Sequence, residues 1–116
     1  MNTRRVHDLM RLHFPSIDHA RREWMIVADS SQIEALIAEH VRSPEALVEV
    51  HRKLGALLPI GEAARFAVTH IGEGEIRIAD RAFTGFVVVA QNGVATGWRT
   101  LDNLSLQRPA LPPAEL

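Results

Sequence analysis

Residues 84–101 read TGFVVVAQNGVATGWRTL, and this stretch decides the fold class. Residues 84–90 are apolar at successive positions and rich in β-branched valine, which is typical of a strand covered on both faces. The pair Asn92-Gly93 predicts a type I′ hairpin turn, because both central residues of that turn need a positive φ. We therefore expect strands over about 84–91 and 94–101.

A third strand is expected just before this hairpin. Ile76 and Ile78 alternate with Arg77 and Ala79, as the residues of a half-buried strand do. This alternation predicts a strand over about 75–80. The three strands then form a small antiparallel β-meander at the C-terminal end of the chain.

The N-terminal half shows a different period. Apolar residues at helical spacing predict four helices, over about 3–13, 17–28, 31–42 and 45–58. Two segments allow more than one interpretation. Residues 24–28 also fit a short buried strand, and residues 60–71 fit either a helix, which we favour, or a strand.

The predicted architecture is α+β, with the N-terminal helices packed on the C-terminal β-meander. Residues 1–107 are expected to form one domain, and residues 108–116 an extended, proline-rich tail. The apolar strand at 84–90 needs cover on both faces. Because the helices cover one face, the other face predicts a partner protein, the tail or a second copy of the chain.

Composition favours a cytoplasmic protein. The chain has no cysteine, so it has no disulfide and no thiolate ligand or nucleophile. Neither a secretory signal nor a membrane span is expected, because the apolar runs are too short for either. We expect no contact with a membrane.

The net charge of −1 is unevenly distributed along the chain. Residues 1–22 carry a net charge of +3 and residues 23–50 a net charge of −5. This separation is compatible with two charged surfaces, although charged residues mostly mark the solvated faces of helices.

No sequence pattern indicates a metal-binding, catalytic or phosphate-binding site. No two of the six histidines are three or four residues apart, the spacing that places two imidazoles on one side of a helix. No nucleophile motif or phosphate-binding loop is present. We expect neither a metal nor another cofactor and assign no catalytic residue, which favours a non-enzymatic role without deciding the question.

The favoured function is stoichiometric binding of another protein, as in an immunity, antitoxin, adaptor or phage-inhibitor module. Self-association into a homodimer through the sheet is the other expected form of binding. The predicted interface has a sheet part and an acidic part. The sheet part contains Trp98, Arg99, Arg77 and Phe83, and the acidic part contains Glu34, Glu39 and Glu45.

Two alternatives remain. Arginine-rich N-terminal helices would bind nucleic acid through Arg4, Arg5, Arg11, Arg21 and Arg22, although the overall negative charge disfavours this function. A small-ligand pocket or an enzyme site between helices and sheet would instead bring together His70, Asp80 and Trp98.

Overall fold

The computed structural model describes residues 1–16, 23–27 and 29–100. Within these residues, three helices are interspersed among six strands, so the fold is α+β. The helices are α1 (Thr3–His13), α2 (Ser30–His40) and α3 (Ile60–Thr69). The strands are β1 (Met25–Ile26), β2 (Glu45–Val50), β3 (Leu54–Pro59), β4 (Ile76–Ala79), β5 (Gly85–Val89) and β6 (Val94–Arg99).

All six strands form one antiparallel sheet with the order β1-β6-β5-β4-β2-β3. The predicted meander is present as β4, β5 and β6. It is extended on one side by the β2–β3 hairpin and on the other by β1. Helices therefore interleave with strands, and the predicted division into a helical half and a sheet half is only partly correct.

The expected helix over 45–58 is wrong, because this segment forms the β2–β3 hairpin. Every residue from Ala46 to Val50 is buried. A strand in the middle of a sheet that is covered on both faces has no polar side, so its apolar positions also fit a helical stripe. The β-branched residues Val48 and Val50 fit the strand better.

Other local predictions have mixed outcomes. Helices α1 and α2 lie where helices were expected, and the segment 60–71 contains helix α3. Of the helix expected over 17–28, residues 25–26 form strand β1, whereas residues 17–22 and 28 lie outside the described residues. The tail at 108–116 and the domain end at 107 also lie outside them.

Residues 90–93 connect β5 to β6 and do not form the predicted type I′ turn. Within this connection, Gly93 has a positive φ of 89° but Asn92 does not. The Gly93 N–H donates to Ala90 O at 2.9 Å, and the Ala90 N–H donates to Val94 O at 2.8 Å. One left-handed residue after a tight turn is a common alternative for a hairpin loop, and glycine suits it.

The sheet lies between two helical layers. Helices α2 and α3 pack on one face, over the side chains of Val48, Ile78 and Val87 among others. Helix α1 packs on the opposite face, with Val6 and Met10 against Leu47 and Phe86. On this second face of the sheet, Phe86 and Val88 of the central strand β5 belong to the same buried cluster as Val6 and Met10 of α1, so α1 supplies cover there from within the chain.

Glycines allow the helices to approach the sheet closely. A Cβ placed on Gly85 or Gly97 would overlap His40, the last residue of α2. On the other face, a Cβ on Gly55 would lie 2.8 Å from the Cβ of Val6 in α1. Thr3 strengthens this contact, because its Oγ1 accepts from Gly55 N–H at 3.3 Å and donates to Gly55 O at 3.1 Å.

Candidate functional site

A charged cleft lies where β2 turns into β3 beside the beginning of β4. Its volume is about 440 Å³. Five ionisable residues line it, and we refer to this set as the charged cleft: Glu49, His51, Arg52, Glu75 and Arg77. The cleft therefore combines both signs of charge.

Strand register brings these residues together. In the β2–β4 pair, Glu49 lies opposite Arg77 and Val50 opposite Ile76. The His51 N–H continues this pairing by donating to Glu75 O at 2.8 Å. Because side chains alternate between the faces of a strand, Glu49 and Arg77 lie on the face that α1 covers.

Glu49 is the most unusual residue of the cleft, because it is only 2% exposed. Its Oε2 lies 2.7 Å from His7 Nδ1 of helix α1. Within the described part of the chain, its second oxygen, Oε1, accepts no hydrogen bond. Most buried polar groups in proteins have hydrogen-bond partners, so this oxygen requires an explanation.

Arg77 forms its ion pair with Glu75, although it lies opposite Glu49 in the register. Its Nε donates to Glu75 Oε2 at 2.7 Å. Its guanidinium carbon also lies 5.5 Å from the centroid of the Phe14 ring, which is a cation–π contact. The guanidinium is thus held by Glu75 and by the end of α1.

The basic turn, defined as residues His51–Lys53, forms the rim of the cleft. His51 and Arg52 have positive φ angles of 45° and 64°, respectively. The left-handed conformation costs an L-residue roughly 1–2 kcal/mol, which glycine avoids. The Lys53 N–H closes the turn by donating to Val50 O at 2.8 Å, and Gly74 leaves space for the His51 ring.

All three residues of the basic turn are exposed. Among the residues described by the structure, none accepts a side-chain hydrogen bond or forms an ion pair with His51, Arg52 or Lys53. The turn therefore carries backbone strain and presents basic side chains to solvent. Strained turns are often found at functional sites.

The aromatic residues predicted for the sheet interface lie in the core under α1. Trp98 is 5% exposed and stacks on Phe86, with ring centroids 5.3 Å apart. Phe83 is half-buried, and its ring contacts His13 and Phe86. The positions of both side chains are explained by core packing.

The two arginines of the predicted sheet interface lie in different places. Arg77 lines the charged cleft. Arg99 instead donates from Nη1 to His40 O at 2.7 Å, at the C-terminal end of α2. There it satisfies a helix-terminal carbonyl, an interaction that helix ends require.

The predicted acidic residues are all exposed. Glu34 lies near Gly61 at the start of α3, and Glu39 Oε2 lies 3.7 Å from His40 Nε2. Glu45 begins β2, at the opposite end of the strand from Glu49. The structure therefore places these three carboxylates on the surface.

Of the arginines predicted for nucleic-acid binding, Arg4, Arg5 and Arg11 are exposed on α1. Arg21 and Arg22 lie outside the described residues.

The predicted pocket of His70, Asp80 and Trp98 does not form. His70 Nδ1 lies 3.1 Å from Glu73 Oε2 at the end of α3, whereas Trp98 lies under α1 on the other face of the sheet. The Asp80 carboxylate accepts from Thr84 N–H at 2.7 Å and from Gly85 N–H at 3.3 Å. It therefore holds the β4–β5 turn.

Sequence reasoning missed four of the five cleft residues, and three of these, Glu49, His51 and Arg52, lie in the segment 45–58 that was expected to be a helix. One signal was present. A glutamate between Val48 and Val50 in an apolar, β-branched run is a polar residue in a buried strand. A polar residue in a buried strand is an informative observation once the strand is identified correctly.

In the part of the chain described by the structure, no group of three His, Asp or Glu side chains is arranged to hold a metal ion. Helices α1, α2 and α3 all lack the length and apolar content needed to cross a membrane. Comparisons with protein families, with curated proteins and with solved structures find no match.

Proposed function

We propose that this chain is a small non-enzymatic module that binds another protein stoichiometrically, and that the basic turn and charged cleft form its contact surface. Immunity proteins, antitoxins, adaptors and phage inhibitors are modules of this kind. The observation that carries the proposal is the turn itself, which keeps two strained, non-glycine residues and exposes their basic side chains.

The residues that line the cleft favour a protein over a small molecule as its ligand. Small-molecule pockets are lined mainly by apolar and aromatic side chains with a few polar groups. All five residues that line this cleft are ionisable. Charged groups in complementary arrangement are typical of protein interfaces, where they fix the partner's orientation and accelerate association.

The chemistry of the basic turn indicates an acidic partner surface. Arg52 and Lys53 are adjacent, exposed and without an ion-pair partner in the described residues. Arginine is also enriched at interface positions that contribute strongly to affinity. Glu34, Glu39 and Glu45 remain available for a second contact, or for contact between two copies of the chain.

The proposal is tested by capture of a partner from lysate of the source organism, followed by size-exclusion chromatography with light scattering. The native chain is compared with the double variant Arg52→Ala and Lys53→Ala. We expect a stoichiometric complex with the native chain and at least tenfold weaker binding by the double variant, since interface arginines often contribute about 1.4 kcal/mol or more.

A matched control removes two exposed positive charges at the opposite end of the sheet, by Arg42→Ala and Arg81→Ala. This control is expected to bind as the native chain does. Equal weakening by both double variants would indicate a general charge effect and contradict the assignment of the surface. Binding that neither variant weakens would exclude the basic turn.

The exposed arginines of α1 favour the alternative function of nucleic-acid binding. This alternative can be tested by binding experiments with the same purified protein. Affinity for a DNA or RNA duplex should then fall steeply as salt concentration rises, because each phosphate contact releases counterions. Substitution of Arg4, Arg5 and Arg11 should abolish that binding. Absence of binding at low salt would exclude this alternative.

A further inference from the structure

Glu49 has an unsatisfied hydrogen-bonding capacity that points to a specific ligand group. Its side chain is 3% exposed, and His7 occupies only Oε2. Oε1 has no donor among the residues that the structure describes, although Glu49 lines the cleft. A buried carboxylate oxygen is costly without a donor, and cationic donors form the strongest hydrogen bonds with it.

The other charged residues of the cleft restrict which chemical groups the ligand can carry next to its cationic donor. The charges of Glu75 and Arg77 are already paired, at 2.7 Å. Arg52 and Lys53 stand at the rim without partners in the described residues. A ligand that carries only a cation would be attracted by Glu49 but repelled by Arg52 and Lys53 at the rim. A carboxylate next to the cation on the same ligand would offset this repulsion.

We propose that the charged cleft receives an adjacent basic and acidic side chain of the partner protein. The lysine or arginine nitrogen donates to Glu49 Oε1, and the neighbouring aspartate or glutamate pairs with Arg52 at the rim. This inference rests on the proposed function, because it names the chemistry of the partner surface. It assigns Glu49 as the residue that selects the partner's basic side chain.

The test uses two blocked tetrapeptides as probes, acetyl-Gly-Arg-Glu-Gly-amide and acetyl-Gly-Gln-Glu-Gly-amide. Each is titrated into the full chain at millimolar concentration while backbone amide shifts are followed by NMR. We expect the first peptide to shift the amides of residues 49–53 and 75–77. Replacing its arginine by glutamine should weaken binding about tenfold or more, because a charge-assisted hydrogen bond is lost.

The protein-side variant is Glu49→Gln, which keeps the size of the side chain and a hydrogen bond to His7. It should reduce the preference for the arginine peptide to near equality. The matched control is Glu45→Gln, an exposed glutamate four residues earlier on the same strand, and it should leave the preference unchanged. If Glu49→Gln does not fold, the two peptides on the native chain decide the question.

Equal binding of the two peptides, or no binding of either, would overturn the inference. A partner complex that depends on Arg52 and Lys53 but not on Glu49 would overturn it as well, while leaving the proposed function intact. Conversely, peptide discrimination without any complex that depends on the basic turn would contradict the proposed function and support the selectivity of Glu49.

Discussion

The two faces of the sheet differ in what their helices cover. Beneath α2 and α3 the buried cluster is entirely apolar, from Val48 through Ile78 to Val89. Beneath α1 the sheet is apolar around Phe86 and Trp98 but becomes charged at Glu49 and Arg77. The first face thus carries an apolar core, whereas the second combines an apolar core with the charged cleft.

The same difference appears in how the helices are attached. The end of α2 is fixed to the sheet by close packing on Gly85 and Gly97 and by the bond from Arg99 to His40 O. Helix α1 is attached partly by apolar contacts and partly by the pair of His7 and Glu49. The side-chain pair that attaches α1 therefore reaches into the charged cleft, whereas the hydrogen bond that attaches α2 ends on a backbone carbonyl.

The largest expected effect concerns the core part of the α1 face. Trp98→Ala removes a large, buried ring and should lower the free energy of unfolding by about 3–5 kcal/mol. Denaturant unfolding checks this value. Ile26→Ala, at a position 77% exposed, is the control and should change stability by less than about 0.5 kcal/mol. A mild effect of Trp98→Ala would mean that the ring belongs to a surface.

A somewhat smaller effect is expected on the opposite face. Gly85→Ala places a methyl group against the His40 carbonyl, so the end of α2 must move. Stability should fall by about 2–3 kcal/mol. Gly61→Ala is the control, because its added Cβ meets no neighbour closer than 3.6 Å. Equal stability of the two variants in denaturant would contradict the close packing described for α2.

The smallest expected effect is a pH dependence of helix stability that distinguishes α2, on one face of the sheet, from α1 on the other. Hydrogen bonds from the Ser31 hydroxyl and the Gln32 N–H hold the pKa of the Asp29 carboxyl below its ordinary value of 3.8. The resulting stabilisation of α2 is complete above that ordinary value and is lost as the pH falls through the folded-state pKa. Helix α1 has the neutral cap Asn2, so its N-terminus lacks this dependence.

Amide hydrogen exchange in acid measures this difference, with protection lost in the first turn of α2 before the first turn of α1. Asp29→Asn keeps a capping side chain but does not titrate, so it should remove the pH dependence. If the native chain and Asp29→Asn lose protection at α2 in parallel, the cap does not control the acid response.

The fold was predictable where one period dominates the sequence. Helix α1 has an apolar stripe on one side, and in β4 the half-exposed Arg77 separates the buried Ile76 and Ile78, so both elements were located correctly. Strand β2 was not, because burial on both faces removes the alternation that identifies a strand. The register that places Glu49 opposite Arg77 joins two strands that are far apart in the sequence, and no local sequence pattern predicts it.

The site was less predictable than the fold. Trp98 was proposed as an interface residue from its residue type, but its ring fills the space under α1. Arg77 was proposed from its place on a strand, and it does line the cleft. The left-handed conformation of Arg52 had no sequence signal, because arginine is not among the residue types enriched in the left-handed region of the backbone.

The most direct test of the central claim is the affinity of Arg52→Gly for the captured partner, measured beside its unfolding in denaturant. Glycine relieves the left-handed strain at this position, where φ is 64°. We expect the free energy of unfolding to rise by about 0.5–1 kcal/mol and the affinity to fall about tenfold or more. A variant that binds as tightly as the native chain would contradict the claim that this strained turn exists for binding.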